Sequence, residues 1–203
     1  MGDVGKIGVF LGRYLTLLHL LSRPSERVLA IDVFEDFENF DAGGGSSTVE
    51  SVLANLRRNV LETAMDRLRL IRGDSLHLHP HDIRPHMANA GLRLFSVDGA
   101  HSWFHTAGDL RLADELIAPG GVVVLDDVLN GGWPGVMDGM ARYLLQSPSR
   151  RLYPFMIANN KLWLTTYDFH ARFVDLAMSN EISLAPGQVK RISEFFGKSI
   201  VGF

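Results

Sequence analysis

Asp98 and His101 stand three residues apart, and Asp126 is followed at once by Asp127. Each group ends a short apolar run, Leu92–Asp98 and Gly121–Asp126. In an open α/β sheet, ligands bind beyond the carboxyl ends of the strands, so acids at two neighbouring strand tips converge on one crevice. Carboxylates crowded there repel one another and raise one another's pKa unless a cation lies between them. A hard ion such as Mg²⁺ takes oxygen ligands and keeps several waters, so Asp98, Asp126 and Asp127 suffice to hold one. His101, with an ordinary pKa of about 6.5, suits a general base beside that ion. Such a set fits removal of a proton from a hydroxyl held in line with an electrophile, with Asp98 and His101 as the catalytic pair. The plainer alternative is a pair of strand-end acids and an ordinary loop histidine.

A second constellation lies earlier. Gly5, Gly8 and Gly12 fall between a first strand and a helix, where glycine lets a backbone turn pass close to a ligand. Their spacing is not the Gly-x-Gly-x-x-Gly of a pyrophosphate cradle. Twenty positions after Gly12, Asp32 ends the run Val28–Asp32, where its carboxylate can accept both hydroxyls of an adenosine ribose. Both nicotinamide and S-adenosylmethionine sites use an acid in that way. Gly73-Asp74-Ser75 follows another strand and could face an adenine edge, although the same triplet is common in turns. The candidate cofactor contacts are Gly8, Val9, Gly12, Asp32, Val33, Asp74, Ser75 and Asp98.

The elements that must position these residues alternate as in an α/β fold. Short β-branched runs bounded by Gly or Asp suit strands buried on both faces of a parallel sheet. Amphipathic stretches at about Gly12–Leu21, Thr48–Met65, Thr106–Ile117 and Val136–Gln146 read as helices, with Pro119-Gly120-Gly121 marking a change back to strand. Leu152–Ala158 and Leu162–Thr166, joined by Asn159-Asn160-Lys161, read as an antiparallel hairpin, because paired Asn tolerates left-handed backbone. Asp41–Thr48 reads as a mobile loop. The expectation is one domain over residues 1–203, with a core at about 4–167 and a helical tail at about 168–203. Trp133-Pro134 reads as a helix start or an acceptor-pocket wall, and Phe195-Phe196 as core or a dimer contact. His77 and His79 could alternate onto one strand face as zinc ligands, but Pro80 and Pro85 favour an irregular loop.

Composition narrows the class. In 203 residues, 46% are hydrophobic and 21% charged, which suits one folded domain. A net charge of −3 with scattered Lys and Arg gives no basic field for nucleic acid. No apolar run approaches the ~20 residues of a membrane span, and the first residues lack a secretory pattern. The absence of cysteine removes disulfides and thiolate chemistry. A cytoplasmic location fits, and a homo-oligomer remains open.

Several motifs occur in order: Ile7-Gly8-Val9 with Gly12, Ala30-Ile-Asp32-Val-Phe-Glu-Asp36, Gly73-Asp74-Ser75, Phe95-Ser-Val-Asp98-Gly-Ala-His101, Pro119-Gly-Gly-Val-Val-Val-Leu-Asp126-Asp127, Trp133-Pro-Gly-Val136, and Pro154-Phe155 with Asn160-Lys161. In these, from about Val4 to Tyr167, the chain resembles the "methyltransferase domain 24" group of class I S-adenosylmethionine-dependent methyltransferases, related to macrocin-type sugar O-methyltransferases. The resemblance implies a Rossmann-like fold: a mostly parallel seven-stranded sheet with a C-terminal antiparallel hairpin and helices on both faces. It implies S-adenosylmethionine bound by the first glycine turn and Asp32. In metal-dependent relatives Mg²⁺ is held at the positions of Asp98, Asp126 and Asp127, with the His101 position as base. The acceptor it implies is a small molecule, a hydroxyl of a sugar or glycosylated natural product. Two departures stand out. Lys6 occupies a position that is usually acidic, and the chain has only a few residues before its first strand, where relatives carry a lead that helps cover the acceptor. These motivate a second reading, a catalytically silent binding or scaffolding domain. A nicotinamide-dependent oxidoreductase is a third, disfavoured by the glycine spacing and the hairpin.

Overall fold

A computed structural model describes residues 2–35, 48–179, 181–182 and 189–203. Asp41–Ser47, most of the stretch read as a loop, lies outside the described residues. In chain order the elements are β1 (Asp3–Ile7), α1 (Arg13–Leu21), β2 (Val28–Asp32), α2 (Val49–Arg57), α3 (Glu62–Met65), β3 (Leu68–Arg72), α4 (Pro80–Ile83), β4 (Leu92–Val97), α5 (Trp103–Leu116), β5 (Ile117–Leu125), α6 (Pro134–Gln146), β6 (Leu152–Ala158), β7 (Lys161–Thr166), α7 (His170–Met178), β8 (Arg191–Phe195) and β9 (Lys198–Gly202).

Among the described residues the strands form one sheet in the order β3-β2-β1-β4-β5-β7-β6-β9-β8. The first five are mutually parallel, and β7 pairs antiparallel with both β5 and β6. The α/β class with a reversed strand therefore holds. Side-chain alternation explains why these strands are apolar on both faces. Leu29 and Ile31 of β2 belong to a core cluster that includes residues of α5 and α6, whereas Val28 and Ala30 belong to one that includes residues of α1 and α2. All four are fully buried. Each aliphatic side chain removed from water in this way stabilises the fold by roughly 1.5–3 kcal/mol.

Four readings are corrected. The sheet has nine strands rather than seven, because the tail is not helical throughout: α7 is followed by the β8–β9 hairpin, turned at Phe196 and Gly197, both at positive φ. The helix expected over Thr48–Met65 is two, since the chain leaves α2 after Arg57 and is extended at Leu61. Helix α5 starts three residues earlier than expected because Ser102 caps it, its hydroxyl accepting from the His105 N–H at 3.3 Å. Pro119-Gly120-Gly121 lies inside β5 as an irregularity: Ile117 already pairs with Leu92, and register resumes with Val122 opposite Leu94. Pro119 has no N–H to give the ladder, and Gly120 has φ +72°.

Phe195 and Phe196 are partly buried against the main core. His77 and His79 are not on a strand: a 3₁₀ turn spans Ser75–His77 and His79 precedes α4. No helix among the described residues is long and apolar enough to cross a membrane.

Candidate active site

The sheet order reverses at β1, whose neighbours are β2 on one side and β4 on the other, and a cleft opens there beyond the strand ends. A row of backbone hydrogen bonds levels the strand tips: Gly73 N–H to Asp32 O, Gly8 N–H to Ile31 O, Asp98 N–H to Ile7 O and Asp126 N–H to Val97 O, all 2.9–3.1 Å. A pocket of about 480 Å³ sits over this row, lined by residues including Gly8, Asp32, Val33, Asp74, Ser75, Asp98 and His101. Those seven were read from sequence. Ile7, Phe10, Ile31, Glu35, Gly73, Gly99, Ala100 and His105 complete the lining.

Gly8 is where glycine is required. Its φ is +77°, and a Cβ there would lie 1.7 Å from the Asp98 carbonyl oxygen. Gly8→Ala is expected to lower stability by about 3 kcal/mol, read from urea unfolding midpoints, since left-handed strain adds to a backbone clash. An unchanged midpoint would refute that close approach. Two other predicted contacts sit elsewhere. The Val9 side chain is buried in the core, although its N–H reaches the site, and Gly12 opens α1 with its bare Cα against Leu56 and Val52 of α2. Gly12 is thus a packing and helix-start glycine.

Asp32 anchors the glycine turn. Its Oδ2 accepts from the Val9 N–H at 2.5 Å and the Phe10 N–H at 3.2 Å, and its Oδ1 accepts from the Phe34 N–H at 3.0 Å. Oδ2 thus has both lone pairs engaged, while Oδ1 retains lone-pair capacity for a further donor.

At the other end, Asp98 Oδ2 pairs with Lys6 Nζ at 2.7 Å, and Lys6 is only 3% exposed. His101 Nε2 lies 3.4 Å from Asp98 Oδ1 and 3.3 Å from Asp127 Oδ2. Burial pushes the Asp98 carboxyl up, but hydrogen bonding from His101 and the Lys6 ammonium outweigh it and hold it below the usual carboxylate range. The His101 ring stacks on Trp133, centroids 4.6 Å apart. Trp133 thus precedes α6, as one reading had it, and also backs the histidine. Both His101 and Asp127 have positive φ, +58° and +61°, which turns their side chains toward each other.

The hairpin contributes to the site. Asn160 donates to Asp127 Oδ1 at 2.7 Å, as does Asn130 at 3.1 Å, while the Asn160 carbonyl and side chain accept from Val128 and Leu129. Lys161 pairs with Asp126 Oδ2. The expected trio of Asp98, Asp126 and Asp127 therefore does not converge. Among the described residues, the group whose ligand atoms lie within 4.8 Å of one another is Asp98, His101 and Asp127. Asp126 faces Lys161, and neither Asp126 nor Asp127 lines the pocket.

Sequence reasoning missed His105 and Asp109, in the first two turns of α5. His105 Nε2 approaches Asp74 Oδ1 at 3.4 Å, and its Nδ1 is 2.7 Å from Ser102 Oγ. The i, i+4 spacing of His105 and Asp109, which puts the two on one face of a helix, was the available signal.

Residues 6–128 match the model of a methyltransferase domain family, Methyltransf_24. No curated relative matches the sequence. The fold is similar to solved structures of low identity. The calicheamicin methyltransferase CalS11 is 19% identical with a TM-score of 0.58, covering 81% of this chain and 72% of that one. The O-methyltransferase NovP is 18% identical with a TM-score of 0.59, covering 82% and 72%. The O-methyltransferase TomG from Streptomyces achromogenes, solved in complex with S-adenosylmethionine, is 21% identical with a TM-score of 0.58, covering 80% and 71%.

Proposed function

The chain belongs to the Methyltransf_24 methyltransferase domain family, and from that premise we propose that it transfers the methyl group of S-adenosylmethionine to a hydroxyl of a small natural product, a sugar or a glycoside. The observation that carries the proposal is a single pocket with the Asp32 carboxylate at one end and His101, between Asp98 and Asp127, at the other. Asp32 Oδ1 accepts from a ribose hydroxyl, and the Gly8 turn passes beneath the cofactor. Val33 and the Asp74-Ser75 pair lie on the adenine side.

With Nε2 directed at the two carboxylates, Nδ1 of His101 is the nitrogen that takes the acceptor's proton. The acceptor oxygen forms a bond to the methyl carbon as the carbon–sulfur bond breaks. The sulfonium leaves as a neutral thioether, and the positive charge ends on His101, next to Asp98 and Asp127. A neutral alcohol is a poor nucleophile, so a positioned base contributes about 10²-fold or more. The acceptor class is supported by the fold's neighbours, one of which is a TDP-rhamnose 3'-O-methyltransferase. Phe10, half-exposed at the pocket, offers an apolar surface to a bulky acceptor.

Calorimetry with S-adenosylhomocysteine, followed by a screen of hydroxylated acceptors using labelled cofactor, tests the reading. His101→Ala is expected to lower turnover about 100-fold while changing cofactor affinity less than twofold. Equal turnover in variant and parent removes His101 from the step. Absence of heat with S-adenosylhomocysteine favours the silent binding domain instead.

A further inference from the structure

We propose that this site works without a divalent cation, because the ammonium groups of Lys6 and Lys161 supply the positive charge that its carboxylates require. The inference rests on the reading of this cleft as a methyl-transfer site and concerns how that site is charged. Each carboxylate at the ends of β4 and β5 has a partner from the chain itself. Lys6, on β1, is buried with its Nζ 2.7 Å from Asp98 Oδ2. Lys161 begins β7, and the antiparallel register that sets Leu162 opposite Leu125 brings Lys161 opposite Asp126, with which it pairs. The Tyr14 ring lies 5.3 Å from the Lys6 ammonium and 6.0 Å from that of Lys161, so one aromatic face helps hold both. Asp127 Oδ1 is taken by the amides of Asn130 and Asn160.

The donor set does not fit a hard ion. Asp126 faces away toward Lys161, so the all-carboxylate trio is not assembled. The atoms that still converge are Asp98 Oδ1, Asp127 Oδ2 and His101 Nε2. An ion there would consume His101 as a ligand, whereas Mg²⁺ prefers oxygen and near-octahedral geometry. It would also place two positive charges beside the Lys6 ammonium, which is buried and has nowhere to withdraw. Lys6 is thereby a fixed cation in place of an exchangeable one.

Metal-stripped protein is titrated with Mn²⁺, followed by electron paramagnetic resonance of the free ion, and in parallel with S-adenosylhomocysteine in the presence and absence of chelator. The parent is expected to bind no Mn²⁺ up to about 1 mM and to bind S-adenosylhomocysteine equally in both buffers. Lys6→Met and Lys161→Met are expected to bind Mn²⁺ at least 10-fold more tightly than the parent. If Lys6→Met does not fold, the more exposed Lys161→Met decides alone. One equivalent of Mn²⁺ bound by the parent at micromolar concentration, and lost in Asp127→Asn, overturns the proposal. So do folded lysine variants that gain no affinity. Absence of heat with S-adenosylhomocysteine in both buffers sinks the cofactor reading, while the Mn²⁺ titration still decides the role of the lysines.

Discussion

Alanine in place of Asp32 is expected to weaken S-adenosylhomocysteine binding about 1,000-fold. The carboxylate is the proposed acceptor, at Oδ1, for a ribose hydroxyl, and a hydrogen bond to a charged group contributes roughly 1.5–3 kcal/mol. It also ties down the turn that the cofactor must lie against, through the Val9, Phe10 and Phe34 N–H groups. Losing both functions gives about 4 kcal/mol, which is the 1,000-fold change. Asp32→Asn should lose less, on the order of 10-fold, because its carbonyl still accepts from the turn while the charge is gone. Calorimetry of both variants, with circular dichroism to establish that each folds, makes the comparison. An Asp32→Ala protein that is folded and binds within threefold of the parent shows that the cofactor's ribose is held elsewhere.

That site was legible because its parts lie at ends of elements whose pattern is local. Val28–Ile31 is a continuous apolar run and Leu92–Val97 a mostly apolar one, and the first acid after each marks where the sheet stops. Asp32 and Asp98 could therefore be placed on one cleft with no knowledge of contacts. Gly8 was legible as a turn glycine, but the reason it admits no side chain, the Asp98 carbonyl 1.7 Å from a would-be Cβ, belongs to the packing of β1 against β4.

What stayed hidden depends on pairing between distant segments. The sequence makes Asp126 and Asp127 look equivalent, yet one faces Lys161 and the other turns back to His101. The antiparallel register of β7, 35 residues on, and the left-handed backbone at Asp127 decide between them. Asn160 could be read as a turn former; that its amide also holds Asp127 could not. The β8–β9 hairpin escaped for a local reason. Its turn is Phe196-Gly197, and without the usual Asn or Asp before glycine the signal is weak. Pro119-Gly120-Gly121 carried the marks of a helix-to-strand boundary, and the structure uses the same three residues to accommodate an irregular strand.

Replacing Asp109 with asparagine is expected to remove a pH dependence of stability. Asp109 lies on α5 behind Gly99, 1% exposed, and neither carboxyl oxygen makes a hydrogen bond of normal geometry. A Cβ on Gly99 would come within 2.7 Å of its Oδ2, so the pocket wall leaves just enough room for this carboxyl. Burial pushes its pKa up to about 7 from the ordinary 3.8, with the charge of Asp74 adding to the rise and the Ser75 hydroxyl opposing it. The folded protein therefore binds this proton more tightly than the unfolded chain does. Its contribution is fully present below about pH 4 and is lost as pH rises toward 7, because the unfolded state binds fewer protons across that window. The rise corresponds to roughly 4 kcal/mol at 1.36 kcal/mol per pH unit. Asparagine does not titrate, so the stability of Asp109→Asn minus that of the parent should climb by about 4 kcal/mol between pH 4 and pH 8.5. Other titrating groups cancel in the difference, which isolates the one carboxyl. Urea unfolding of both proteins across that range reads it directly. A difference that stays constant within about 0.5 kcal/mol means that Asp109 is ionised at neutral pH in the folded protein, and the wall behind Gly99 then carries a charge that some unrecognised partner must balance.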